Sequence, residues 1–353
     1  MKAKVIGMVA AILLLAAGMA QAAITIKTVP VGNAGNAADT RYATPGYGAV
    51  SYEYNIGKYE VTAGQYCEFL NAVANKTDTY GLYNTEMSDT SYGSGIARAG
   101  SAGSYAYSVD SAFTNRPVNF VSWGDSVRFA NWLTNGQGSG STETGAYNLN
   151  GATTDDQLMA VVVPTATQRK TWSTGAKSYF LLTSEDEWYK AAYHDKNAVL
   201  AATYFDYPTS TNSEPGRDMT EATNSGNNAN YYDVPYPIDS GKYTTLVGEF
   251  ENSDSPYGTF DQGGNVLEWN EGSLSRWYRN MRGGSFADNL DHYYGYLHAS
   301  TLGLGYPTYE GRYVGFRVSV VPEPATLSLL ALLALSLPKR GGLAMLRRRQ
   351  RMA

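Results

Sequence analysis

The sequence predicts an irregular, loop-rich α+β fold in a single domain. Three observations predict it. Glycine (37) and tyrosine (29) are abundant while only 17% of residues are charged, which favours many turns over a helical bundle or a disordered chain. Three short segments carry helix-start signals beside an apolar face. After about Asn197 helical periodicity ends, and no repeat of fixed period is present.

The elements follow in order. Residues 1–22 read as a signal peptide. Lys2 and Lys4 form its basic start, residues 9–17 its apolar run, and Ala20-Gln21-Ala22 its cleavage site. Residues 23–48, rich in Gly, Ala and Asn, read as a flexible lead-in, which leaves the folded domain at 49–320. Ala49-Val-Ser-Tyr-Glu-Tyr54 and Gly57-Lys-Tyr-Glu-Val61 read as strands. Thr62 and Gln65 form a capping box for a helix over about 63–74. Segments 91–105 and 136–154, rich in Gly, Ser and Thr, read as long surface loops. Between them, Arg116-Pro-Val-Asn-Phe-Val-Ser-Trp123 reads as a strand leading into a helix over 124–135. Ser184-Glu-Asp-Glu-Trp188 opens a third helix. Ser184 caps it, Glu187 closes the box, and three acids sit at its positive end.

The tail, 321–353, carries Val321-Pro-Glu-Pro324, an apolar stretch over 325–337, and the basic cluster Arg347, Arg348, Arg349 and Arg351. It resembles the PEP-CTERM sorting tail of Gram-negative bacteria. The resemblance implies export machinery and an exosortase-type enzyme as partners, transient membrane anchoring, and a destination at the cell envelope, outer surface or extracellular matrix. Retention of the positive end in the cytoplasm agrees with such sorting. Pro338, Lys339 and Arg340 end the apolar run short of the ~20 residues a spanning helix needs.

Eight of the 27 basic residues lie in the two ends. Between Ala23 and Val320, 19 basic residues face 31 acidic ones. Such an acidic product disfavours nucleic acid and suits cations such as calcium. Cys67 is the single cysteine, so no intramolecular disulfide forms. It shares a helix with Tyr66, Phe69, Leu70 and Val73 and reads as a buried core thiol. No basic neighbour in sequence would activate it.

Several blocks now stand in order. They are Gly57-Lys-Tyr-Glu-Val-Thr-Ala-Gly-Gln-Tyr66, Pro117-Val-Asn-Phe-Val-Ser-Trp-Gly-Asp-Ser126, Leu182-Thr-Ser-Glu-Asp-Glu-Trp188 and Tyr257-Gly-Thr-Phe-Asp-Gln-Gly-Gly-Asn-Val-Leu-Glu-Trp269. Arg282-Gly-Gly-Ser-Phe286 and Gly315-Phe-Arg317 complete the set. Together they resemble the formylglycine-generating enzyme, or sulfatase-modifying factor, family. Thr183 stands where that family usually has proline. The resemblance implies a C-type-lectin-like core with bound calcium. It implies one ion position at Asn230, Tyr231, Asp239 and Gly241. It implies a second at Asp261, Gly264, Val266 and Glu268, with carbonyls from Gly264 and Val266. Such hard oxygen ligands suit calcium. The same residue types also form turns, which is the plainer reading of them.

The family's chemistry does not carry over. Its two copper-holding cysteines follow the Arg-Gly-Gly-Ser-aromatic motif. Here Asp288 and Tyr293 stand at the aligned positions. Neither supplies the thiolate that Cu(I) takes, so copper is not expected. His292, His298, Asp288 and Asp291 are metal-capable, but their irregular spacing reads as packed polar residues. His194 reads as a residue at a helix end. Glycine-rich stretches at 93–95 and 136–140 lack the lysine of a phosphate loop. Tyr293, Tyr294, Tyr296, Tyr306 and Tyr309 crowd the lost site and offer faces for sugar rings. The expectation is a non-catalytic, calcium-stabilised binding module for glycan, exopolysaccharide or protein. A sulfatase-modifying oxidoreductase and a structural matrix protein are the alternatives.

Overall fold

The computed structural model describes residues 23–220, 223, 225–290 and 296–321. Strands β1 (Thr28–Val31), β2 (Tyr54–Gly57), β5 (Tyr179–Leu182) and β10 (Val318–Val321) form an antiparallel sheet in the order β1-β2-β10-β5. Chain-end strands thus lie inside one sheet. Thr28 pairs with Gly57, and Ser319 pairs with both Ile56 and Leu181. A hairpin joins β3 (Ile96–Ala99) to β4 (Ala106–Val109). A second four-stranded sheet holds β6 (Leu267–Trp269), β7 (Arg279–Arg282), β8 (Gly303–Gly305) and β9 (Val314–Phe316). Its order is β8-β7-β6-β9, with β6 and β9 parallel.

Among the described residues five α-helices pack between and beside the sheets: α1 (Ala63–Val73), α2 (Trp123–Thr134), α3 (Asp155–Met159), α4 (Ala166–Trp172) and α5 (Glu185–Tyr193). Each starts with a complete capping box. In it an N-cap Thr or Ser accepts from the N3 main chain, and the N3 side chain returns the bond. Helix α2 is buried along its whole length. Its Phe129 meets Phe69 of α1 edge-on at 5.4 Å and Phe316 of β9 at 5.4 Å, so it joins the helical layer to the second sheet.

The three expected helices stand within a residue or two of their predicted bounds. Helices α3 and α4 were not foreseen, since each is too short to show a period. The segment read as a flexible lead-in supplies β1 and buries Val31, Asn36 and Asp39, so ordered structure begins before residue 49. Residues 57–61 leave the strand after Gly57. Segment 116–123 forms no strand: Pro117 has no N–H to give a ladder. The segment instead meets the chain by Val118 N to Val61 O (2.9 Å).

Among the described residues no helix is long and apolar enough to cross a membrane. The expectation of transient membrane anchoring is corrected accordingly. The stretch it was assigned to is cut short by Pro338, Lys339 and Arg340, and it lies outside the described residues. The expected signal peptide, residues 1–22, and the tail from residue 322 onward also lie outside them, while Val321 closes β10.

Candidate functional site

Strand β7 ends at Arg282, and Gly283-Gly284 turns the chain sharply. Both glycines take positive φ (99° and 71°). A Cβ on Gly283 would stand 2.6 Å from Gln262 O, and one on Gly284 2.7 Å from Leu297 Cδ1. Only glycine permits this approach. Arg282 pins the turn: Nε donates to Glu185 Oε1 (2.5 Å), and Nη1 to Ala299 O and Thr301 O (3.0 and 2.7 Å). Helix α5 thereby holds the turn through an acid of its first turn.

Past the turn the chain borders an aromatic groove. Asp288 and Tyr296 line a depression of about 370 Å³ with Tyr278, Tyr306, Tyr309 and Tyr313. Tyr278 and Tyr306 continue into a second depression of about 520 Å³, with Trp277, Asp155 and Asp156. Tyr309 and Tyr313 continue into a third of about 490 Å³, with Tyr92, Glu310 and Arg312. The three form one trough. Its rim is open: Trp277 is 45% exposed, Tyr306 48% and Tyr296 43%. The Tyr278 and Tyr306 rings lie 4.7 Å apart, with hydroxyls at 3.2 Å. Asp291, His292, Tyr293 and Tyr294 lie outside the described residues.

Among its described residues the trough holds hydrogen-bonding and stacking groups but no armed nucleophile. Burial raises the Asp288 carboxyl, although Ser285 Oγ donates to it at 2.7 Å. Asp155 Oδ1 accepts from Thr308 N and Oγ1 (3.1 and 2.6 Å). Cys67 sits in the core, where burial pushes its thiol up to about 11. His298 stands apart from Cys67, between Tyr42 and Tyr207, with Nδ1 2.8 Å from Ser300 Oγ and burial lowering its pKa. His194 caps α5, bonded to Tyr257 Oη (2.9 Å) and Ala201 O (3.1 Å).

The two implied calcium positions converge at one point. Asn230 and Gly264 form a parallel bridge, and Asn265 N donates to Asn230 O (2.8 Å). Gly264 takes φ 83° there. Asn230 Oδ1 is buried without a partner, a fit for an ion ligand. Of the three anionic members two fit less well, because an arginine holds each, whereas Asp261 accepts from Gly248 N (2.6 Å). Asp239 is ion-paired with the buried Arg116. Glu268 receives Arg317 Nε and Nη2, both at 2.6 Å, and Trp188 Nε1 at 2.7 Å. Gly241 sits in an exposed turn (φ 74°), the Tyr231 hydroxyl donates to Pro215 O (2.9 Å), and Val266 is buried. In each carried-over set one acid is thus already paired with an arginine. Among the described residues no three His, Cys, Asp or Glu side chains converge on a metal position.

A family model described as a sulfatase-modifying factor enzyme 1-like domain matches residues 14–321. The chain belongs to this family. Among solved structures it is similar to Treponema denticola variable protein 1, with 20% identity, a TM-score of 0.51, and 84% of this chain and 95% of that one covered. It is also similar to CarF, with 16% identity, a TM-score of 0.50, and 84% and 98% covered. PvdO from Pseudomonas aeruginosa aligns over 84% and 91% with 16% identity and a TM-score of 0.43. At these identities the likeness concerns the fold. No curated protein matches the chain. Within the sulfatase-modifying factor family this member lacks the cysteine pair, since Cys67 is its single cysteine.

Sequence reading missed several residues of the trough and its supports. Tyr278, Tyr313 and Trp277 come from strand ends and loops with no motif. Arg169, buried between Glu187 (2.6 Å) and Glu271 (2.5 Å), lies on the unforeseen α4.

Proposed function

We propose that this domain is an exported, non-catalytic binding module with a C-type-lectin-like core, which takes glycan chains in the tyrosine trough. The observation that carries the reading is the exchange at the family's site. Where thiolates would hold copper, the chain presents Asp288 and a run of exposed aromatic faces. Aromatic faces bind the apolar faces of sugar rings, while hydroxyls and carboxylates take their hydroxyl groups. Three joined depressions suit a linear oligosaccharide better than a single small molecule. Export and delivery to the envelope or extracellular matrix rest on the signal sequence and the Pro-Glu-Pro tail.

The test is a glycan array probed with wild type and Tyr306→Ala, beside a peptide assay with Cu(I), oxygen and a cysteine-bearing peptide. The reading expects binding to a linear glycan that falls in the variant, with the peptide unchanged. Formylglycine in the peptide would establish the oxidoreductase alternative. An empty array with an intact fold would favour the matrix protein.

A further inference from the structure

The lining of the tyrosine trough is lopsided in charge. Asp155 and Asp156 stand in the depression with Trp277, Tyr278 and Tyr306. Asp288 stands in the middle one, and Glu86, Asp89 and Glu310 in the one beyond Tyr309. Against these acids the described lining holds one cation, Arg312, whose guanidinium lies over the Tyr92 ring (4.8 Å). Arg276, next to Trp277 in the chain, lies over that ring (4.2 Å). The excess is steeper than in the domain as a whole, where 19 basic residues face 31 acidic ones.

These acids are also unspent. Among the described residues every salt bridge lies elsewhere, and none reaches an acid of the trough. Asp155 uses Oδ1 for Thr308, Asp288 uses Oδ2 for Ser285, and Glu310 uses Oε2 for Asn84. The second oxygen of each stays open to a donor. Asp156 and Glu86 are exposed, and their carboxylates have no partner among the described residues. Asp155 and Asp156 do favour the positive end of α3. That role does not account for the acids of the other two depressions, which belong to other elements.

Resting on the glycan reading of the trough, we propose that its ligand is a cationic glycan, a linear chain of amino sugars with free amines. Ring faces stack on Tyr306 and its neighbours, and stacking is blind to charge. Selection then falls to the acids, which give ammonium groups charge-assisted hydrogen bonds and repel uronates and sulfated sugars. Acids in all three depressions match a chain whose amines recur along its length. N-acetylation keeps the sugar ring and removes its charge, so it separates the two contributions.

The experiment titrates the domain, at mildly acid pH, with a chitosan oligomer, its fully N-acetylated form, an oligogalacturonate and an oligolysine of similar length. An exposed ion pair is worth up to about fivefold in affinity, and several form along the trough, so chitosan should bind about tenfold tighter or more than its acetylated form. Raised salt should shrink that preference. Asp156→Asn and Glu86→Gln should each shrink it severalfold while binding of the acetylated oligomer and the melting temperature hold. Equal binding of the two forms, or tighter binding of the galacturonate, would overturn the proposal and leave the glycan reading standing. Oligolysine binding as tight as chitosan, with both indifferent to Tyr306→Ala, would overturn it in favour of plain charge attraction. If none of the sugars binds, the glycan reading falls and the proposal with it.

Discussion

Arg317 grips Glu268 through two hydrogen bonds, Nε to Oε2 and Nη2 to Oε1, each 2.6 Å, and neither side chain reaches solvent. The pair links β6 to the residue between β9 and β10, so it ties the second sheet to the last strand of the first. Trp188 Nε1 adds α5 to the same carboxylate at 2.7 Å.

Removing one partner of such a pair leaves a buried charge alone. Arg317→Met is expected to destabilise the domain by about 3–5 kcal/mol. Denaturant unfolding checks it. Adding Glu268→Gln to the same chain should recover a good part of the loss, because the stranded charge is then gone.

The capping boxes give smaller, local effects. Thr165 accepts from Gln168 N (3.2 Å) at the start of α4, in an exposed setting. Thr165→Ala should cost about 1 kcal/mol. Thermal melting reads this as a Tm shift of a few degrees with the glycan response untouched.

Glu310 sets a pH dependence. Burial, then the Asp125 charge, raises its carboxyl to about 8, with Asp78 adding to the rise and a bond from Asn84 opposing it. The folded state thus keeps a proton that the unfolded chain releases near 4.5. Its contribution is full below pH 4.5 and is lost as pH rises through 8. Glu310→Gln should flatten this decline, so that the variant gains on wild type between pH 5 and 8. Unfolding curves at both pH values check the sign.

Cys67 should be inert. Its thiol is buried in α1 and raised to about 11, so the thiolate is scarce at pH 8. A thiol reagent at pH 8 should label the native chain far more slowly than the unfolded one. Fast labelling of folded protein would show an accessible thiolate and reopen thiol chemistry.

The parts legible in sequence were those with local causes. Thr62 with Gln65 and Ser184 with Glu187 announce helices because a capping box is written within four residues. Pairing between distant strands was not legible. Nothing local to Thr28 says that it meets Gly57, and nothing local to Ser319 says that it lies between Ile56 and Leu181. The trough was half legible. Tyr296, Tyr306 and Tyr309 cluster in sequence, whereas Trp277 and Tyr278 come from the far side of β7 and Asp155 from α3. Ion pairing was the least legible: Asp239 and Glu268 look like free ligands until Arg116 and Arg317 are found beside them.

The central claim is that the trough binds rather than catalyses. Titration calorimetry of wild type and a Trp277→Ala/Tyr306→Ala double variant, with a linear oligosaccharide chosen from the array, tests it most directly. Each lost stacking face is worth about 0.5–1.5 kcal/mol, so affinity should fall about tenfold or more while the melting temperature holds. Unchanged affinity in the double variant would contradict the account.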